Sequence, residues 1–202
     1  MKTLITTACL LACMAAHADD SPWRVYAAGG ISTGGDTLLS GTMVEEGSSK
    51  TVPFEIKPGT GIPVRVGAEY RLSAPFALRG AFERMVTDPS GTNGSVTFTS
   101  TSAELMGLFS VSPDIRLGLG VRQTTAVLDG TGVAASWPEV GTYTSAGGAV
   151  LEAQYLFSND PARPQRRQPQ VAVTLRLVSE SFQRNDITVN GDHYEVGLAL
   201  YF

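Results

Sequence analysis

A histidine and a carboxylate that could do acid–base chemistry lie close together near the end of the chain. His193 and Glu195 are two residues apart, and a strand would place both side chains on one face. Hydrolases and acyltransferases use a histidine beside a carboxylate to activate a nucleophile. No serine lies two residues from His193. A solvated or ion-paired histidine is therefore the favoured interpretation, and catalysis is the alternative.

The predicted mature chain offers few other groups for catalysis or metal binding. The cysteines Cys9 and Cys13 and the other histidine, His17, all precede the cleavage site predicted below. The sequence contains no metal-ligand cluster, phosphate-binding loop or nucleotide motif. We therefore predict no cofactor and no metal ion.

Arginine and glutamate occur in equal numbers on one face of the strands predicted below. The set is Arg65, Glu69, Arg71, Arg79, Glu83, Glu104, Arg116, Arg122, Glu152, Arg176, Glu180 and Glu195. Equal numbers suit a closed interior, because an unpaired buried charge is costly. Arginine also suits confined, bidentate pairing with carboxylates better than lysine does. These residues are predicted to form a structural charge network inside the protein.

The composition indicates one folded domain with extensive apolar surface. The 202 residues are 43% hydrophobic and carry a net charge of −4, which argues against disorder. With 15 Lys+Arg against 19 Asp+Glu, a nucleic-acid partner is not expected. No apolar run reaches the roughly 18 residues of a transmembrane helix.

The first 18 residues have the pattern of a secretory signal. Lys2 precedes an apolar stretch at 4–16, and Ala16-His17-Ala18 forms an Ala-x-Ala cleavage site. A lipoprotein signal ending at Cys13 is the alternative, but it would leave a very short apolar stretch. The predicted domains are therefore a signal at 1–18 and one mature domain at 19–202.

The mature chain is predicted to consist of β-strands, because apolar residues recur at every second position. The last segment shows this with Tyr194, Val196, Leu198, Leu200 and Phe202. The predicted strands are residues 23–32, 62–72, 76–86, 97–111, 115–122, 145–157, 171–178 and 193–202. Their lengths of 8 to 15 residues are close to the roughly 9 to 11 tilted residues that span a bilayer.

Short and long connections alternate between these strands. Residues 73–75 and 112–114 are predicted tight turns. The link at 158–170, which carries Arg163, Arg166 and Arg167, is a longer connection on the same side. The long polar loops, numbered 1 to 4 in chain order, are residues 33–60, 87–96, 128–144 and 183–191. This pattern predicts an all-β, eight-stranded, antiparallel up-and-down transmembrane barrel with a polar lumen filled by side chains.

The apolar face is predicted to point outward. A soluble lipocalin-type barrel also has eight strands but keeps its apolar face inside. Here the charges are balanced, as a closed interior of neutralised pairs requires, and the glycines and alanines between them leave room in a narrow lumen. Pro63 departs from the strand pattern, and we place it above the membrane, where the second strand leaves the first loop. Aromatic residues of the apolar face cluster near strand ends, as an interfacial girdle does: Trp23, Tyr70, Phe76, Phe109, Tyr155, Phe157 and Phe202.

In these features the chain resembles the small eight-stranded outer-membrane β-barrels of Gram-negative bacteria, the OmpA/OmpX-like and opacity-protein group. The last strand, with Tyr194, Val196, Leu198, Leu200 and Phe202, resembles the signal that the outer-membrane assembly machinery reads. The resemblance covers residues 19–202 as architecture. It implies a monomer in the cell outer membrane with both termini in the periplasm. Outer-membrane lipid, lipopolysaccharide and the assembly machinery are the implied partners.

Two functions follow for such a barrel. The first is a non-enzymatic surface protein that acts through extracellular loops, in surface interaction, adhesion or envelope integrity. Phe54 in loop 1 and Trp137 in loop 3 are its candidate contacts for a host or surface ligand, although packing on the barrel rim is the favoured interpretation of each. The alternative is an outer-membrane enzyme that modifies lipid A or phospholipid through His193.

Overall fold

The structure is a computed structural model that describes residues 21–44, 50–91, 94–157 and 169–202. The predicted export signal and the three arginines predicted in the link at 158–170 lie outside the described residues. Among the residues that are described, no helix has the length and apolar character needed to cross a membrane.

Eight antiparallel strands form a closed barrel. They are β1 (Trp23–Gly34), β2 (Ile62–Arg71), β3 (Phe76–Thr87), β4 (Gly94–Ser110), β5 (Ile115–Gly130), β6 (Gly141–Phe157), β7 (Gln170–Arg184) and β8 (His193–Tyr201). Each strand pairs with the next along the chain, and β8 pairs with β1, which closes the sheet. The predicted all-β, eight-stranded up-and-down barrel is confirmed.

The large apolar side chains of the barrel wall face outward. Ile31, Phe82 and Leu119 are each about two-thirds exposed, at 68%, 67% and 68%. Their neighbours along each strand point into the lumen, and buried and exposed residues alternate along β3 and β5. The predicted direction of the two faces is confirmed.

Aromatic rings pair on this outward face near the short turns. Trp23 packs on Tyr70 with 4.8 Å between ring centroids, and Phe76 packs on Phe109 at 5.0 Å. All four residues lie at or next to the ends of their strands. The rings therefore lie at one level of the barrel, as an interfacial girdle requires.

Strands β4 to β7 continue further from the short turns than the sequence predicts, with 17, 16, 17 and 15 residues. The prediction of a loop at 128–144 is wrong at both ends, because β5 continues to Gly130 and β6 begins at Gly141. In these extensions the polarity of the two faces is reversed, so that apolar residues face inward and polar residues face outward. Phe98 and Leu128 are buried inside, whereas Thr142 is exposed outside. This is the pattern of a barrel wall surrounded by water.

A β-bulge in β6 marks the start of the extension. Arg122 pairs with Gly148, but Thr125 pairs with Thr144, so β6 contains one extra residue. The register against β7 shifts at the same place. Gly147 has a φ of +106°, a conformation that residues with a side chain rarely adopt. The bulge changes which residues of β6 face inward, and Tyr143 is buried as a result.

The connections at the other end carry structure of their own. Loop 1 forms a hairpin of Leu39–Val44 with Thr51–Ile56. Ser90–Gly91 pairs with the start of β4, and Ile187–Asn190 pairs with β7. Loop 3 contains a 3-10 helix at Gly132–Ser136. We call this side of the barrel the long-loop end and the opposite side the short-turn end.

Pro63 is the second residue of β2 and faces the lumen. Pairing between β1 and β2 runs to Gly29 and Val64 and then resumes only at the bridge between Ser32 and Gly61. Because proline has no N–H, it cannot donate to the ladder at this position.

Candidate functional site

The lumen contains eleven of the twelve charged residues predicted to fill it. Each of the eleven is at most 6% exposed. They are Arg65, Glu69, Arg79, Glu83, Glu104, Arg116, Arg122, Glu152, Arg176, Glu180 and Glu195. Alternation places them on one face of seven strands, β2 to β8, and closure of the barrel then brings these faces together. Distant parts of the sequence meet there, since Arg65 and Glu195 are 130 residues apart.

The prediction for Arg71 is wrong. Arg71 is the last residue of β2 and is exposed at the short-turn end, where the wall ends and water reaches the side chain. Arg24 of β1 lies nearer to the network and was missed. It is the cross-strand partner of Glu69 and donates a hydrogen bond to Gln170 over 3.1 Å. Its position among the inward residues of β1 is the sequence signal that would have identified it.

Arg176 lies at the centre of the network and is fully buried. Its Nη1 atom is 2.9 Å from Glu195 and 3.2 Å from Glu83, and its Nε atom is 3.0 Å from Glu152. Its Nη2 atom pairs with Glu104. One guanidinium therefore holds carboxylates from four strands, which is possible because its five N–H donors form a planar fork.

A second arginine, Arg122, binds the part of the same network that lies nearer the long-loop end. Its Nη2 atom is 2.8 Å from Glu83, and its Nε atom is 3.7 Å from Glu180. Hydroxyl groups add to these contacts, since Thr124 donates to Glu180 over 2.7 Å and lies 2.9 Å from Ser102. These hydroxyls were not predicted, because serine and threonine on an inward face carry no distinctive pattern.

Aromatic rings support the arginines nearest the short turns. Arg79 forms a bidentate pair with Glu152 at 3.0 and 2.5 Å, and its guanidinium lies 4.8 Å from the ring centre of Tyr26. Tyr26 stacks on Tyr201, and Arg116 lies 5.6 Å from the ring of Tyr201. Such cation–π contacts favour an arginine that burial has removed from water.

His193 is buried on the side of the charge network that faces the long-loop end. Its Nδ1 atom is 2.7 Å from the carbonyl oxygen of Gly191, and its Nε2 atom is 3.1 Å from Glu195. Gly59 of loop 1 packs so closely on the imidazole that a Cβ atom there would collide with it. Glu195 also pairs with Arg65 and Arg176. The pair predicted as a catalytic alternative is thus inside the barrel wall, in an ionic cluster covered by a loop.

At the long-loop end, an apolar cluster lies next to the charge network and covers the lumen. Its buried members are Ile56, Met85, Val96, Phe98, Ala126, Leu128, Ala134, Tyr143 and Phe182. The two candidate ligand contacts, Phe54 and Trp137, pack against this cluster and on each other, with 6.3 Å between nearly parallel rings. Both are half-buried, so loop 1 and loop 3 are joined across the barrel mouth.

The predicted assembly signal lies on the outer surface of β8 and the residue that follows it. Tyr194, Val196, Leu198, Leu200 and Phe202 are between 42% and 64% exposed. Among the described residues, no group of histidine, cysteine or acidic side chains is arranged to hold a metal ion.

The structure thus defines an eight-stranded barrel with an apolar outer face and an ionic lumen. No family model and no curated protein matches the chain. Its fold is similar to that of Neisserial surface protein A (NspA), with 15% identity, a TM-score of 0.49 and coverage of 90% of this chain and 96% of that one. It is also similar to Ail, the attachment invasion locus protein of Yersinia pestis, solved with the heparin analogue sucrose octasulfate (12% identity, TM-score 0.49, coverage 89% and 99%). A third similar structure is the outer membrane protein OprG from Pseudomonas aeruginosa (8% identity, TM-score 0.41, coverage 89% and 95%). At these identities the likeness concerns the fold alone.

Proposed function

We propose that the protein is an integral outer-membrane barrel that acts without catalysis through its long-loop end, in surface interaction, adhesion or envelope integrity. The arrangement of the two faces carries this proposal. Apart from the extensions of β4 to β7, the outer face exposes large apolar side chains on all eight strands, which would be costly in water. The inner face holds buried arginines and glutamates, whereas a soluble barrel needs an apolar interior. A closed barrel also satisfies its backbone hydrogen bonds internally, as a membrane requires.

The short turns and both termini face the periplasm in this proposal, and the long-loop end faces outward. The support is the general arrangement of outer-membrane barrels, in which periplasmic turns are short and extracellular loops are long. Outer-membrane lipid and lipopolysaccharide contact the apolar wall, and the assembly machinery binds β8 as the protein inserts as a monomer.

The membrane location is tested by fractionating cells and comparing gel mobility with and without boiling. We expect the protein in the outer-membrane fraction, with a mobility shift on boiling, because a closed barrel resists detergent until it is heated. Recovery of the protein as a soluble periplasmic species would overturn the proposal.

We further propose that the lumen is closed to solutes. Arg176 spans its centre, and the apolar cluster covers the long-loop end. An eight-stranded barrel has an interior that side chains fill. In planar bilayers the purified protein should give no stepwise conductance. Stable pores that admit small sugars would contradict this part of the proposal.

The site of surface activity is tested by shortening loops. We expect replacement of 39–56 or 131–140 by a short Gly-Ser link to leave the heat-dependent gel shift intact and to reduce cell adhesion or serum survival. Replacement of the short turn at 73–75 is the control, because it alters the other end of the barrel. Equal loss of function in both replacements would argue against a role for the long loops.

A further inference from the structure

A cavity of about 370 Å³ opens at the short-turn end, next to the charge network. Its polar lining includes Arg24, Arg71, Arg116, Glu69 and Gln170, and residues of the two tight turns complete the wall. A volume of this size suits a small molecule or a head group. The apolar cluster described above lies at the other end of the barrel, so this cavity is a separate feature.

The charges that line this cavity are not balanced. Among the described residues that line it, three arginines face one carboxylate, Glu69, which is an excess of two positive charges. The centre of the network differs, because several carboxylates surround Arg176 there. Since unpaired cations in a confined site attract anions, the cavity favours a ligand with about two negative charges.

The arginines have donors to offer such a ligand. Arg116 holds Glu69 at 2.7 Å through one Nη atom. Arg24 donates to Gln170 through one Nη atom, and its guanidinium lies 5.1 Å from the ring centre of Tyr201. Each guanidinium has five N–H donors. These contacts fix its orientation and use only some of those donors. Arg71 is exposed at the mouth of the cavity.

We propose that this cavity binds a phosphate group, with Arg24 and Arg71 as the main ligands and Arg116 completing the site. The guanidinium fork matches the geometry of phosphate oxygens. A phosphate monoester carries about −1.5 to −2 charges at pH 7, which balances the excess of two. In the orientation proposed above, the mouth faces the periplasm and the inner leaflet. The phosphate belongs either to a soluble monoester or to an anionic lipid head group.

The test is calorimetric titration of the folded barrel in octyl glucoside, a detergent without phosphate, with inorganic phosphate and glycerol 3-phosphate at constant ionic strength. Loss of a charge-assisted hydrogen bond should weaken binding about tenfold or more in Arg24→Gln and in Arg71→Gln. Arg84→Gln is the matched control, because it removes one exposed arginine near the opposite end of β3. We expect wild-type affinity in that control.

Two results would overturn the proposal. One is absence of phosphate binding by the wild-type barrel, and the other is equal weakening by Arg84→Gln, which would indicate attraction to net charge alone. The heat-dependent gel shift checks the folding of each variant, and Arg71→Gln, at an exposed residue, decides the question if Arg24→Gln does not fold. The titration needs only a folded barrel, so its failure would leave the proposed membrane location intact.

The source of the phosphate is resolved in nanodiscs. Titration with glycerol 3-phosphate is repeated in phosphatidylcholine discs and in discs that also contain phosphatidic acid. Loss of binding with phosphatidic acid supports the site and assigns it to a lipid head group. Unchanged binding supports the site and assigns it to a soluble monoester. Phosphate binding in the micelle that disappears in both kinds of disc would argue against a site open in the membrane.

Discussion

At the scale of single residues, the lumen depends on complete pairing. Arg176 contacts carboxylates on four strands, and each carboxylate is itself buried. Removing the cation leaves those charges without their shared partner, which costs more than the pair contributes. The network is therefore evidence for a specific interior rather than for high stability.

We expect Arg176→Met to lower the free energy of unfolding in micelles by about 3–5 kcal/mol. Urea titration followed by tryptophan fluorescence measures this change. Arg84→Met is the control, because it makes the same substitution at an exposed residue. A similar loss in both variants would show that the buried position of Arg176 carries no special cost.

His193 is expected to be structural. His193→Ala removes contacts to Gly191 and Glu195 and should cost about 1–3 kcal/mol of unfolding free energy, without altering the lipid A or phospholipid profile of the cells. Mass spectrometry of extracted lipids checks the second part. A change in the lipid profile on substitution would instead favour the enzymatic alternative.

At the scale of elements, one glycine allows the change in β6. Gly147 and Gly80 form a matched pair, because an added Cβ atom would meet nothing within 4 Å at either position. They differ in the backbone, since only Gly147 has a positive φ, at +106°. Position 147 therefore requires glycine because of the backbone conformation of the bulge and not because of local crowding.

We expect Gly147→Ala to destabilise the barrel by about 1–3 kcal/mol, because alanine is strained at that φ. Gly80→Ala should be neutral or should stabilise the barrel by up to about 1 kcal/mol, because it reduces the entropy of the unfolded chain. Urea unfolding of both variants in the same micelles provides the comparison. Equal effects would mean that the bulge tolerates a side chain.

At the scale of the whole molecule, the two ends of the barrel wall meet different surroundings. Near the short turns the outer face is apolar, and in the extensions of β4 to β7 it becomes polar while the interior becomes apolar. The hydrophobic effect accounts for both arrangements, because in each part of the wall the apolar side chains lie on the side that water does not reach.

A charge placed on the outer wall should reveal this boundary. We expect Leu119→Arg, in the apolar part of β5, to cost about 2–4 kcal/mol of unfolding free energy in phospholipid bilayers. Thr142→Arg, at an exposed position in the extension of β6, should cost little. Equal tolerance of both substitutions would contradict a membrane around Leu119.

The period of the strands, their number and the direction of their faces could be predicted from the sequence. These properties are local, since apolar residues at every second position define a strand such as β8, and charges on the opposite face indicate which side is enclosed. The extensions of β4 to β7 were underestimated because the alternation continues there with its polarity reversed. The bulge at Gly147 was missed because a single extra residue leaves no periodic signal.

Which charges meet depends on the closed barrel. Barrel closure and strand register bring Arg65 to Glu195 across 130 residues, and no local pattern encodes that contact. The same geometry leaves Arg71 exposed at the end of β2, places Arg24 beside Glu69 and covers His193 with loop 1. Alternation fixes the face on which a side chain lies, whereas its partners depend on how all eight strands are aligned.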